Sequence, residues 1–304
     1  MAVGYASTII DAPVEAVWAA IRDFGALASW HPAIASSAIE NGLDADAVGC
    51  IRSLQFKDGG HARERLLMLD DSRYRFSYNF ETPAFPVANY VATIELIPVT
   101  NGNVTFARWS ATFDERGEDQ GVYTDIVSKA VFAPGLAALV TQLKGAAAPA
   151  NAVRWQGFRP AKVFCSSVLR APHLRVWQEM RDFAGMDGWH PEISDMHMLG
   201  NVRSDKISGV RDFRFGDGKL HEQLTYMSDP DCAFRYKINA SALPWMNYHS
   251  GVELHPVTSA DGCLAVWTAD WTASANDDVQ LIPMVHEGVF QRALDTLDVK
   301  LNAS

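Results

Sequence analysis

At 304 residues, with 48% hydrophobic and 20% charged side chains, the chain has ordinary globular composition and enough length for two domains with proper cores. Its net charge of −10 argues against nucleic acid or an anionic membrane surface as a partner. No run approaches the roughly 20 apolar residues of a membrane span, no basic stretch leads into an apolar one near Met1, and Cys50, Cys165, Cys232 and Cys263 make no C-x-x-C pair; a cytoplasmic protein with reduced thiols is expected, without a disulfide framework or zinc ribbon.

Ala2–Ile10 alternates and turns β-branched near its end, which predicts a first strand. Asp11-Ala12-Pro13 then opens a helix, with Asp11 as cap and Pro13 in the first turn, where a missing N–H costs little. Val17, Ile21 and Phe24, with Val14 or Trp18, form its apolar stripe, and Gly25 stops it. A second short helix, Ala26–Trp30, runs into His31-Pro32. From there the pattern has period two. Strands are expected at Ser37–Glu40, Val48–Phe56, Ala62–Leu69 and through Tyr74, Phe76, Tyr78 and Phe80, with turns at Gly42/Asp44, Lys57-Asp58-Gly59-Gly60 and Asp70-Asp71-Ser72. Thr82–Val87, with two prolines, is loop; Asn89–Ile97 and Val104–Phe113 flank an Asn101-Gly102 turn. A helix follows from about Gln120 to Leu143, its apolar face carried by Val122, Ile126, Val127, Val131, Leu136, Leu139 and Leu143 and kinked at Pro134-Gly135. One antiparallel sheet of this length needs cover for its apolar face, and the last helix supplies it.

The same features then return. A-P-V-E-A-V-W…R-D-F…W-H-P-A-I at 12–34 is matched by A-P-H-L-R-V-W…R-D-F…W-H-P-E-I at 171–193. Arg52, Phe56, Asp58 and Gly59 match Arg211, Phe215, Asp217 and Gly218; the second copy is one residue shorter after that turn. Glu64, Phe76, Tyr78, Pro86, Asn89-Tyr90 and Glu95 match Glu222, Phe234, Tyr236, Pro244, Asn247-Tyr248 and Glu253. Trp109 is matched to Trp271 across a longer hairpin, and Val131-Phe132 to Val289-Phe290. The period is that of a whole domain rather than a solenoid unit. The division expected is 1–145, an Ala-rich linker at 146–160, and 161–304.

Several residue types in this pattern carry chemistry. His31 and His190 sit between a Trp and a Pro, which fixes the turn and the imidazole with it. Each is read either as a general acid–base near neutral pH or as a structural tie from the helix end to a strand. Glu64 and Glu222 fall within apolar strands, with Arg52 and Arg211 at similar height on the preceding strand. The Arg–Glu pair either orients a polar ligand group in a cavity or is an ion pair on the solvent face. Tyr78, Tyr90, Tyr236 and Tyr248 are pocket phenols able to hydrogen-bond an oxyanion, or tyrosines with their hydroxyls in water. Trp109 and Trp271 are pocket or core aromatics. His249 and His286 occur only in the second copy, His249 as a candidate ligand-binding residue beside Tyr248 and His286 as one that, pointing into the second cavity, would make it the richer acid–base site. His221, Glu222, His249, Glu253 and His255 have no metal-binding spacing, so no metal is expected. The chain has no G-x-S-x-G elbow, Walker loop or dinucleotide fingerprint, and no cofactor is expected.

The A-P-x-x-x-V-W start, R-D-F, W-H-P, V-G-x-x-R, E-x-L and N-Y together resemble the START/Bet v 1-like (SRPBCC) superfamily, in its polyketide cyclase/dehydrase and lipid-transport branch. The resemblance runs over nearly the whole chain, twice. It implies an α+β architecture of two tandem helix-grip domains. Each would be a curved seven-stranded antiparallel sheet around a long C-terminal helix, with two short helices after the first strand and a cavity between sheet and helix. A more distant similarity, to plant abscisic-acid receptors, implies that His31 falls where those receptors place a ligand-binding lysine and Glu64 on their cavity glutamate. It also implies that Lys57–Gly60 and Thr82–Val87 correspond to their gate and latch loops, though the loop sequences depart from theirs. His190, Glu222, Gly216–Gly218 and Ser241–Trp245 are the second-copy equivalents. Two functions fit: a cofactor-free enzyme performing cyclisation, dehydration or aldol-type chemistry on a small aromatic or polyketide-like substrate, or a non-catalytic carrier of a hydrophobic small molecule or lipid. Self-association is left open by the sequence.

Overall fold

A computed structural model describes residues 1–119, 121–150 and 161–303. The expected linker at 146–160 falls largely outside the described residues, as does Gln120. The chain divides into two compact units, N-terminal and C-terminal.

The N-terminal unit runs β1 (Ala2–Ile10), α1 (Val14–Ile21), a 3-10 turn (Phe24–Ser29), β2 (Ile34–Ile39), β3 (Ile51–Phe56), β4 (His61–Asp70), β5 (Arg75–Thr82), β6 (Ala88–Val99) and β7 (Val104–Asp114). It ends in a long helix, α2, spanning Val122–Gln142. The strands form one antiparallel sheet in the order β1-β7-β6-β5-β4-β3-β2. The C-terminal unit repeats this with β8 (Val163–Leu169), α3 (His173–Met180), β9 (Ile193–Met198), β10 (Val210–Phe215), β11 (Gly218–Ser228), β12 (Ala233–Ala240), β13 (Met246–Val257) and β14 (Gly262–Thr272). Its last helix, α4, is built of three consecutive segments, Ala275–Pro283, Met284–Gln291 and Arg292–Asn302. The second sheet has the equivalent order, β8-β14-β13-β12-β11-β10-β9. Both units are therefore helix-grip folds.

The repeated sequence at the start of each unit is fold signature with an identifiable job. Trp18 Nε1 donates to Asp71 Oδ1 (2.8 Å), and Arg22 grips both oxygens of the same carboxylate. Trp177 and Arg181 hold Asp229 the same way. The Trp and Arg lie one helical turn apart on one face, so a single acidic side chain in the β4–β5 turn pins the first helix to the sheet. Three local expectations need correction. Asp11 does not cap α1: Pro13 is the N-cap residue, in extended geometry, with no side-chain cap. Gly25 does not stop the helix, which ends at Ile21; Gly25 lies in the 3-10 turn, where its N–H is capped by Asp23. Finally, α2 is long and apolar enough to cross a membrane by length and composition, which the residue count along the chain did not anticipate. In this fold its Val127, Phe132, Leu136 and Leu139 are buried in the core of the unit.

The last helices also differ from a simple proline kink. Each contains a π-helical stretch, Ile126–Phe132 in α2 and Met284–Gln291 in α4. Pro134 follows the first, whereas Pro283 precedes the second. Proline position therefore does not set the widening. What the two stretches share is a carbonyl that accepts from a histidine outside the helix, Val131 from His31 and Val289 from His190.

A cavity with a Glu–Tyr floor in the N-terminal repeat

Period-two alternation aims Leu54 and Phe56 of β3, Glu64 of β4, Tyr78 and Phe80 of β5, Tyr90 of β6 and Trp109 of β7 at the same space. Together with Ile126, Ala130 and Val131 of α2 they enclose a cavity of about 470 Å³. The two loops singled out in the sequence also line it, through Lys57, Asp58 and Gly60 on one side and Ala84 and Phe85 on the other. Phe56, Phe80, Phe85 and His61 were not among the expected site residues. Phe80 was visible as the last member of an alternating aromatic strand, and the others gave no signal beyond their loops.

Glu64 lies directly opposite Arg52 across the β3–β4 ladder. Arg52 Nε donates to Glu64 Oε2 (2.6 Å), and Nη1 donates to the Phe24 carbonyl (2.9 Å). The guanidinium stacks over the Phe24 ring, 3.9 Å from its centroid. Both side chains are buried, so the pair is not on the solvent face. Arg52 Nη2 has no hydrogen-bond partner among the described residues. Burial raises the Glu64 carboxyl above its usual range, and Arg52 opposes that shift. Arg211 and Glu222 repeat the pair at 2.8 Å, but there Nη2 also donates to the Glu222 carboxylate. Glu222 is likewise raised by burial.

Beside Glu64, Tyr78 Oη accepts from Trp109 Nε1 (3.0 Å), and its ring packs near that of Tyr90. A phenol offers two acceptor positions and one proton. Trp109 fills one acceptor position, and Tyr78 can offer a ligand its own proton. Burial holds both phenols neutral well above their usual range, and the nearby Glu64 charge adds to the shift.

His31 lines the cavity and is buried, but both ring nitrogens are engaged. Nδ1 accepts from the Ala33 amide (3.3 Å), so the proton is on Nε2, which donates to the Val131 carbonyl (3.0 Å). Burial lowers the imidazole below its usual range. His190 makes the same pair of bonds, to Glu192 N (3.2 Å) and Val289 O (3.2 Å), and is lowered by burial too. In both copies the Trp-His-Pro segment is thus a clasp from the end of the 3-10 turn to the last helix. The structural alternative describes these bonds better than the acid–base one.

Three second-copy expectations are placed elsewhere. Trp271 is not the counterpart of Trp109: Trp267 is. Trp267 Nε1 donates to Tyr236 Oη (3.2 Å) and stacks on Phe290 at 4.5 Å, as Trp109 does on Phe132 at 4.5 Å. Trp271 instead stacks on Tyr248 (5.8 Å), as Phe113 does on Tyr90 (5.9 Å). The signal was present as Ala-x-Trp-x-Ala at 107–111 and 265–269, with no longer hairpin needed. His249 is exposed on the outer face of β13, its Nδ1 beside the Asn247 carbonyl (3.1 Å), because Tyr248 and Ser250 take the inward positions. His286 is half-buried at the position of Ser128, whose hydroxyl accepts the Tyr5 amide of β1, and not at a cavity-lining position. Among the described residues no group of three or more His, Cys, Asp or Glu is arranged to hold a metal ion.

The chain matches the family profile described as polyketide cyclase / dehydrase and lipid transport over residues 1–144 and again over 161–301. No curated protein matches it. Among solved structures, an uncharacterised protein from Bacillus thuringiensis is 30% identical over 46% of this chain and 98% of its own, with a TM-score of 0.42. The di-domain ARO/CYC protein BexL, of the BE-7585A biosynthetic pathway, is 12% identical over 100% of both chains, with a TM-score of 0.40. A point mutant of norcoclaurine synthase from Thalictrum flavum is 16% identical over 46% of this chain and 92% of its own, with a TM-score of 0.39.

Proposed function

Since the chain belongs, through both of its halves, to the polyketide cyclase/dehydrase and lipid transport family, we propose that its N-terminal repeat binds a hydrophobic, ring-bearing small molecule and dehydrates it by acid–base chemistry. The observation that carries this reading is the cavity floor. There a buried carboxyl with a raised pKa, Glu64, adjoins a neutral phenol with a proton to give, Tyr78. A general base works best when its pKa is brought toward the operating pH, and burial moves Glu64 in that direction.

The substrate class is a ring-bearing β-hydroxy ketone. The ketone oxygen accepts the Tyr78 hydrogen bond, which strengthens as negative charge develops on it. Glu64 takes the proton from the carbon between ketone and carbinol. The enolate electrons then form the carbon–carbon double bond as the C–O bond breaks. The departing hydroxyl takes the proton back from Glu64 and leaves as water, so the carboxylate is regenerated. Arg52 keeps Glu64 oriented, and the aromatic walls keep bulk water from the enolate. His31 is assigned to the clasp and not to proton transfer.

The carrier alternative is favoured by one observation: the 2.6 Å contact to Arg52 also suits a carboxylate that only anchors a ligand hydroxyl. The test uses 3-hydroxy-1-tetralone, whose dehydration gives fluorescent 1-naphthol. The wild type is expected to speed naphthol release, and Glu64→Gln to slow it by about 10²–10⁴-fold while still binding 1-naphthol. Equal turnover by Glu64→Gln removes Glu64 from the chemistry. A wild type that binds 1-naphthol without converting the tetralone establishes the carrier reading instead.

A further inference from the structure

The two repeats do not offer the same space. Leu54, which lines the first cavity, is replaced by buried Phe213, and Val87 by Trp245. Trp245, partly buried, packs on Tyr248 at 4.8 Å and on Trp271 at 5.7 Å, against the core of its unit. Trp271 itself replaces the smaller Phe113. Phe80 and Phe85 are reduced to Ile238 and Leu243 in exchange, and both of these are packed against the same core.

The polar floor changes in the same sense. Ala92, which has no side-chain polar atom, becomes Ser250. Ser250 donates to the Thr268 carbonyl (2.7 Å) and accepts from Trp267 Nε1 (3.1 Å). The second indole is therefore shared between Tyr236 and Ser250, whereas among the described residues the first donates to Tyr78 alone. The orphaned guanidinium nitrogen of Arg52 is likewise matched by a satisfied one in Arg211. At the edge, Glu192 and Arg292 occupy the positions of Ala33 and Pro134 and join in an ion pair (2.7 Å) across the seam between the start of β9 and α4. Ala33 lines the first cavity. Bulkier side chains leave the second repeat less space for a ligand, although Trp189 Nε1 and Trp245 Nε1 there lack a hydrogen-bond partner among the described residues.

We infer that the chain takes one ligand, in the N-terminal repeat alone, and that Leu54 and Ala92 are the residues that keep this repeat open while Phe213 and Ser250 close the other. This rests on the cavity reading above. The test is the stoichiometry of 1-naphthol binding, by isothermal titration and native mass spectrometry, on the full chain. The wild type is expected to bind one equivalent. Leu54→Phe/Ala92→Ser, which gives the first repeat the second repeat's residues, is expected to weaken that binding at least about tenfold. Ala92→Ser alone, the milder change, is expected to weaken it less but in the same direction, which guards against a double variant that misfolds. Phe213→Leu is expected to leave the first equivalent's affinity unchanged. Two equivalents in the wild type, or one equivalent that survives both N-terminal variants, overturns the inference while leaving a binding protein. Absence of binding to any of the proteins overturns this inference and the cavity reading together.

Discussion

The tightest constraint on the first site is a missing methyl group. A Cβ on Gly135 would lie 2.6 Å from His31 Cδ2 and 2.9 Å from the Trp109 ring. Replacing a helix-interior glycine by alanine ordinarily gains about 1 kcal/mol of propensity. Overpacking a filled interior costs about 1–3 kcal/mol, and here the clash is with two rings that are themselves held by hydrogen bonds. Gly135→Ala should therefore lower the melting temperature, while Ala293→Gly, the reverse change at the equivalent position, should lower it through propensity and lost packing alone. A Gly135→Ala protein that melts higher than wild type in a thermal scan would mean that the His31 clasp yields easily. The clasp histidines also set a pH dependence. His31 and His190 have imidazoles lowered from 6.5 by burial, as does His173 at the start of α3. A lowered histidine pKa means the folded state prefers the neutral ring. Its stabilising contribution is complete above pH 6.5 and is lost as pH falls below that toward the folded value, at up to about 1.4 kcal/mol per pH unit per group. The guanidinium midpoint of the wild type should fall between pH 7 and pH 5, and by less in His31→Gln/His190→Gln. Parallel pH profiles would show that the imidazoles are not the groups responsible. Trp-His-Pro was legible as a fixed turn from sequence. Which way the ring faced was not, because that depends on a carbonyl a hundred residues away.

At the scale of elements, the cross-strand pair Arg52–Glu64 joins β3 to β4 and, through the Phe24 carbonyl, to the 3-10 turn. Removing one member of a buried pair strands the other charge and costs about 3–5 kcal/mol, whereas replacing both by apolar groups is often neutral. Arg52→Met should thus be strongly destabilised in urea, and Arg52→Met/Glu64→Leu should recover most of the loss. A double variant no more stable than the single one would locate the cost in the lost contact with Phe24 instead. The strands were readable because each presents one face to the core, so Phe76, Tyr78 and Phe80 had to alternate with polar neighbours. The pairing of Arg52 with Glu64 followed from counting through the Asp58-Gly59 turn. The π-helical stretches were not readable, since an apolar face can be drawn at either helical period. The Trp109–Trp267 equivalence was missed for a different reason. Trp271 is also an inward aromatic two turns of the pleat further along the strand, and one-dimensional matching cannot tell neighbours on one face apart.

For the whole molecule, duplication was the most legible property, because it needed only identity at fixed spacing. The inequality of the copies was visible as substitutions but not as geometry: Ala92 to Ser250 looks trivial until Ser250 is seen to bridge the Trp267 indole and the Thr268 carbonyl. His249 and His286, expected at the second cavity, lie on the outer face of β13 and at the position of Ser128. The central claim is that a ring-bearing ligand sits on the floor formed by Glu64 and Tyr78. A crystal structure of the full chain with 1-naphthol tests it most directly. The account predicts one naphthol in the N-terminal repeat, its ring among Phe80, Tyr90 and Trp109 and its hydroxyl within hydrogen-bond reach of both Glu64 and Tyr78. A naphthol seated in the C-terminal repeat, or one whose hydroxyl displaces the His31 bond to Val131, would contradict it.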